Sequence, residues 1–171
     1  MSWKIDLHVH SKYSNKPTNW LLKKFGCSEC FTEPKEIYQA AKKRGMTAFT
    51  ITDHNQIAGC YEILEYPNTF ISCEVTASFP EDHCKIHVLT YNITENQFKD
   101  MMQIRGNIYE FREYLLQENI YHSVAHALYS VNNKMTREHY EKLILLFNTF
   151  ELNGCRSLTL NNSLKFLLDS L

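Results

Sequence analysis

The chain holds eight histidines, and several of them close strand-like segments. His8 and His10 end the segment Ile5–His10. Residues two apart in a strand share a face, so Asp6, His8 and His10 point one way while Ile5, Leu7 and Val9 point the other. Two imidazoles about 7 Å apart along a strand can converge on one metal ion. Asp6, deeper on that face, is placed to fix the tautomer of a ligating histidine. The pattern repeats along the chain. Asp53 and His54 end a second strand, Glu74 a third; His87 lies in a fourth, His126 ends a fifth, and Glu151 and Asn153 end a sixth. In parallel α/β folds, ligands and catalysis sit at the C-terminal ends of strands. Metal-competent groups at successive strand ends are hard to explain as core.

The elements that must position these groups are readable. Candidate strands are 5–10, 48–53, 70–75, 85–91, 122–126 and 148–152, alternating with helix-like segments in the manner of an α/β fold with a largely parallel sheet. Thr32 is placed to cap a helix with Pro34 in its first turn. That helix buries Ile37 and Ala41, carries Lys42, Lys43 and Arg44 in its last turn, and stops at Gly45. The spacing of Ile104, Ile108, Phe111 and Leu115 predicts one long helix over 95–118. A third helix begins near Thr136, with Tyr140, Leu143, Ile144 and Phe147 on one face. Residues 11–31 and 78–84 read as loops. The apolar residues Leu158, Leu160, Leu164, Phe166, Leu167 and Leu168 call for a helix that covers a surface or forms a dimer contact.

At 171 residues, 44% apolar, 22% charged and with net charge −1, the chain suits one soluble domain. That balance gives no global attraction to nucleic acid or anionic lipid. No apolar run approaches the ~20 residues needed to span a bilayer. The N-terminus has no apolar signal core, which points to the cytoplasm. The six cysteines then read as free thiols, with Cys27 and Cys30 as an isolated C-x-x-C.

The motifs Asp6-Leu7-His8-Val9-His10-Ser11, Thr52-Asp53-His54, Glu74, Ile86-His87-Val88-Leu89 and Val124-Ala125-His126 resemble, in order, those of the polymerase and histidinol phosphatase (PHP) domain. Ser14-Asn15-Lys16-Pro17, Phe79-Pro80-Glu81-Asp82 and Phe150-Glu151-Leu152-Asn153-Gly154 are similar to the PHP subgroup associated with glycosyltransferases. The resemblance implies a distorted (β/α)7 TIM-like barrel with up to three metals, commonly zinc, manganese or iron. By resemblance, His8, His10 and Glu74 would hold one metal, and Glu74 would bridge to a second, completed by His87 and His126. His54 would hold a third beside Asn15, where many relatives carry an Asp.

The implied activity is hydrolysis of a phosphomonoester or phosphodiester, on a phosphorylated small-molecule or nucleotide-like substrate. Water held between two cations loses a proton near neutral pH and becomes the nucleophile. The catalytic set is then Asp53, His54 and Glu74, with Lys12, His122, Lys134 and Glu151 as substrate contacts. The family's late Asp-x-His pair has no counterpart after His139. The expectation is therefore an incomplete barrel of PHP type over 1–171, shortened at its C-terminal end, holding one to two divalent ions, with a C-terminal partner domain or a homodimer completing it. Two other readings stand beside this one: a metal-binding remnant with a regulatory or interaction role, and an amidohydrolase-type hydrolase.

Overall fold

The first two strand-like segments pair through threonine hydroxyls as much as through backbone. Thr47 Oγ1 accepts from the Lys4 amide at 2.8 Å, and Thr52 Oγ1 accepts from the Val9 amide at 2.9 Å. Thr50 Oγ1 donates to the Phe70 carbonyl at 2.8 Å. Side chains thus stand in for ladder steps. The segments 4–9, 47–53 and 68–75 lie side by side as parallel bridges (Ile5 with Ala48, Phe49 with Thr69, His54 with Glu74) and not as the long regular strands expected for 5–10 and 48–53. The computed structural model describes residues 3–14, 30–152 and 158–169.

The helices are α1 (Pro34–Lys43), α2 (Ala58–Tyr61), α3 (Glu95–Ile104), α4 (Ile108–Gln117), α5 (Arg137–Leu146) and α6 (Leu158–Asp169); the strands are β1 (Ser72–Ser78), β2 (Lys85–Tyr91) and β3 (Tyr121–Val124). The strands form one sheet in the order β1-β2-β3. β2 matches its expected bounds. β1 and β2 are joined by a tight connection in which the Phe79 amide donates to the Cys84 carbonyl at 2.9 Å, so no helix intervenes there. The expected last strand survives as a parallel bridge between Val124 and Phe150. The fold is mixed α/β. Among the described residues, no helix is long and apolar enough to cross a membrane.

Two compact units divide the chain: Met1–Val75 with Leu89–Met102, and Thr76–Val88 with Gln103–Leu171. In the first, α1 lays Tyr38 against Phe49, Ile51, Cys60 and Ile63, with Ile37 and Ala41 half-buried beside them. The helix starts one residue later than expected. Glu33 takes the N-cap position, with Pro34 fixing φ in the first turn, and the chain leaves through Gly45 at φ +78°. In the second unit, Ile108, Phe111 and Leu115 on α4 are fully buried.

The long helix expected over 95–118 is two helices. Gly106 is a weak helix former, and Asn107 leaves helical geometry at φ −125° to cap α4. Its Oδ1 accepts from the Tyr109 and Glu110 amides at 3.1 and 3.5 Å. Asn107→Ala should therefore cost about 1 kcal/mol of stability. Urea unfolding checks this, and no change would mean the cap contributes nothing.

Candidate metal centre

The first unit brings three imidazoles onto one carboxylate oxygen. Glu74 Oε2 lies 3.1 Å from His8 Nε2, 3.0 Å from His10 Nε2 and 3.2 Å from His54 Nδ1. Glu74 is completely buried. The His8 and His10 Nε2 atoms are 3.1 Å apart, so the two rings share a face as their i, i+2 spacing requires. His10 stacks on His54 with ring centroids 4.5 Å apart. The ligand atoms of His10, His54 and Glu74 all fall within 4.8 Å of one another.

Backbone pairing aims these groups. The Thr52 amide donates to the Val9 carbonyl at 2.8 Å, which registers the histidine segment against the second one. The Glu74 amide donates to the Asp53 carbonyl, and the Asn55 amide to the Glu74 carbonyl, which sets His54 beside Glu74. A buried carboxylate facing three imidazoles is costly without a cation among them. Nitrogen and oxygen donors gathered this closely suit a divalent ion such as zinc, manganese or iron, and the residues present fit one.

His87 and His126 belong to the second unit, where their ring centroids are 5.2 Å apart. His126 has φ +31°, a left-handed conformation that costs a non-glycine residue energy. The Glu151 carboxylate accepts from the His126 amide at 2.9 Å and holds that conformation. Glu151, expected to touch substrate, therefore supports a histidine. Asn15 lies outside the described residues, as do Cys27 and Asn153.

The expected basic contacts have other partners. Lys12 Nζ pairs with Glu33 at 2.7 Å and Glu62 at 3.6 Å, and Glu33 raises its ammonium above the ordinary value. His122 Nδ1 donates to the Ile120 carbonyl at 2.7 Å, and its ring meets Phe147 edge-on. Lys134 Nζ donates to the Asp82 carbonyl at 2.6 Å. Asp6 is exposed, and its carboxylate accepts from the His8 amide at 3.4 Å, so it supports the His8 backbone and not the ring.

Asp53 does not reach into the cluster. Its Oδ1 accepts from the Ser11 amide at 2.6 Å and from Ser14 Oγ at 3.1 Å, and its Oδ2 accepts from Ser11 Oγ at 2.6 Å. The sequence placed Asp53 in the catalytic set beside His54 and gave Ser11 and Ser14 no role. The two hydroxyls spaced i, i+3 directly after His10 were the available signal. Cys30, the described half of the C-x-x-C, donates to the His10 carbonyl at 3.1 Å. Burial raises the Cys60 and Cys73 thiols and pushes Cys84 up to about 11, as inert free thiols require.

No known family model matches the chain. A stretch of 67 residues is 40% identical to an uncharacterized protein of Methanocaldococcus jannaschii, covering 39% of this chain and 37% of that relative. Two solved structures share the fold. One, from Bifidobacterium adolescentis, has a provisional assignment as a metal-dependent phosphoesterase; it superposes with a TM-score of 0.60 at 12% identity, over 99% of this chain and 84% of its own. The other is an amidohydrolase from Chromobacterium violaceum, solved with sulfate and without metal, at a TM-score of 0.61 and 16% identity over 97% and 83%. The chain thus shares its fold with a provisionally assigned metal-dependent phosphoesterase and with an amidohydrolase, at identities that speak for the fold alone.

Proposed function

We propose that this protein is a metal-dependent hydrolase of phosphate esters. The observation that carries the reading is the convergence of His8, His10 and His54 on a single oxygen of buried Glu74. Of the two hydrolase chemistries, phosphate ester cleavage fits the order of ligands better: Glu74 lies on β1, and the following strand β2 carries His87. This reading includes the PHP-type assignment and a TIM-like barrel.

His8, His10, His54 and Glu74 would hold the metal, and His87 with His126 would contribute to a further one. A bound divalent ion supplies a hydroxide nucleophile near neutral pH and charge for the phosphoryl oxygens. The chain's residues do the positioning. Glu74 provides the negative charge that draws a cation into a buried site. His8 and His10, fixed by pairing at Val9, present two nitrogens on one side; His54 presents the third. Phosphate contact by Lys12 requires its ammonium to leave the Glu33 and Glu62 carboxylates, an exposed pairing of small cost.

The test is an assay of the chelator-stripped and reloaded protein on a chromogenic phosphomonoester, a phosphodiester and an amide. Turnover of a phosphate ester that disappears on chelation is expected. Turnover of the amide alone would move the protein to the amidohydrolase class. Metal binding without turnover of any substrate would make it a metal-binding module.

A further inference from the structure

We propose that Ser14, tied to Asp53, sets the tautomer of His10: it keeps the proton on Nδ1 and so leaves the Nε2 lone pair for the metal. Ser14 acts as a positioning residue, and this assignment rests on the metal centre proposed above.

A serine hydroxyl has one proton to give and two lone pairs to accept with. Among the described residues, Ser14 Oγ has three neighbours. Asp53 Oδ1, at 3.1 Å, belongs to a carboxylate that already receives the Ser11 amide, so the Ser14 proton goes to it. The His54 amide, at 3.1 Å, can only donate, and it takes one lone pair. The remaining lone pair faces His10 Nδ1 at 2.9 Å. That contact is a hydrogen bond only if Nδ1 carries the proton. The opposite tautomer would set a ring lone pair against a hydroxyl lone pair, and Ser14 is completely buried, away from bulk solvent.

The arrangement has no slack. Asp53 is 1% exposed and is gripped from behind by the amide and hydroxyl of Ser11. Gly59 packs over it so closely that a Cβ there would collide with Asp53 Oδ2 and meet Ser11 Oγ at 2.7 Å. Asp53 therefore cannot swing away to free the Ser14 proton. With Nδ1 protonated, the neutral His10 ring has its lone pair on Nε2, the atom 3.0 Å from Glu74 Oε2 and 3.1 Å from His8 Nε2. A ligand that must otherwise shift a proton before binding is prepared in advance. His54 presents the other nitrogen, Nδ1, to the same carboxylate oxygen. The two stacked rings should therefore carry their protons on opposite nitrogens.

Nitrogen-15 spectra of histidine-labelled protein read this directly. In the zinc-loaded form His10 should show a protonated Nδ1, donating to Ser14 Oγ. In the zinc-loaded form His54 should show a protonated Nε2. Ser14→Ala should release the His10 preference and weaken zinc about 10-fold to 100-fold, and Ser14→Thr, which restores the hydroxyl, should recover both. A merely structural serine would leave the tautomer unmoved. A zinc-loaded wild-type protein in which His10 lacks a protonated Nδ1 overturns the proposal, whether or not Ser14→Ala folds. So does a Ser14→Ala protein that retains both tautomer and affinity. A chain that binds no zinc contradicts the metal-centre reading, whereas one that binds zinc without a protonated His10 Nδ1 contradicts the tautomer assignment alone.

Discussion

Glu74→Gln should strip the protein of its metal while leaving it folded. Glu74 is the one carboxylate among three imidazole nitrogens, all 3.0–3.2 Å from its Oε2. The amide keeps the shape and removes the charge. A buried cation that loses its anionic partner is destabilised by about 3–5 kcal/mol, which corresponds to roughly 10²- to 10⁴-fold in affinity. His54→Ala removes one neutral donor of three and should cost less. Calorimetric titration of both variants with zinc or manganese decides the order. Equal affinities would mean that Glu74 is not the charge that holds the ion.

Phe111→Ala should cause the largest loss of stability among single core truncations on α4, about 3–5 kcal/mol. The ring is completely buried, flanked one turn away on the same face by Ile108 and Leu115, which are equally buried. Removing it loses the transfer energy of the ring and leaves a cavity that the rigid helix face cannot close. Urea unfolding measures the loss, and a value below about 1 kcal/mol would place this face against solvent.

The parts of this molecule legible in the sequence are those set by local period. β2 could be bounded because its residues stand between turn residues at both ends, and α4's buried face could be read from Ile108, Phe111 and Leu115 at helical spacing. His8 and His10 were legible as a pair because i, i+2 in extended chain permits one outcome, a shared face. The reading of 95–118 as one helix failed because periodicity continues across a break; the Asn107 cap, not the apolar pattern, ends one helix and begins the next. The irregular pairing of segments 4–9 and 47–53 was hidden because it depends on which threonine hydroxyls reach a neighbouring backbone group. Asp53 illustrates the same limit at the site. Its type and place beside His54 suggested direct involvement, but the fold of residues 11–14 turns its carboxylate onto Ser11 and Ser14. Which hydroxyl a buried carboxylate meets is decided by tertiary geometry, and no spacing rule contains it.

That imidazoles and a carboxylate of the first unit form a metal site can be read from the ligand shell of the bound ion. X-ray absorption on the zinc-loaded protein tests it most directly. The expected first shell is nitrogen and oxygen at about 2.0–2.2 Å, with multiple-scattering features of imidazole that diminish in His10→Ala and His54→Ala. A shell dominated by sulfur at about 2.3 Å, which would place the metal on cysteines, or a spectrum unchanged in both variants, would contradict it.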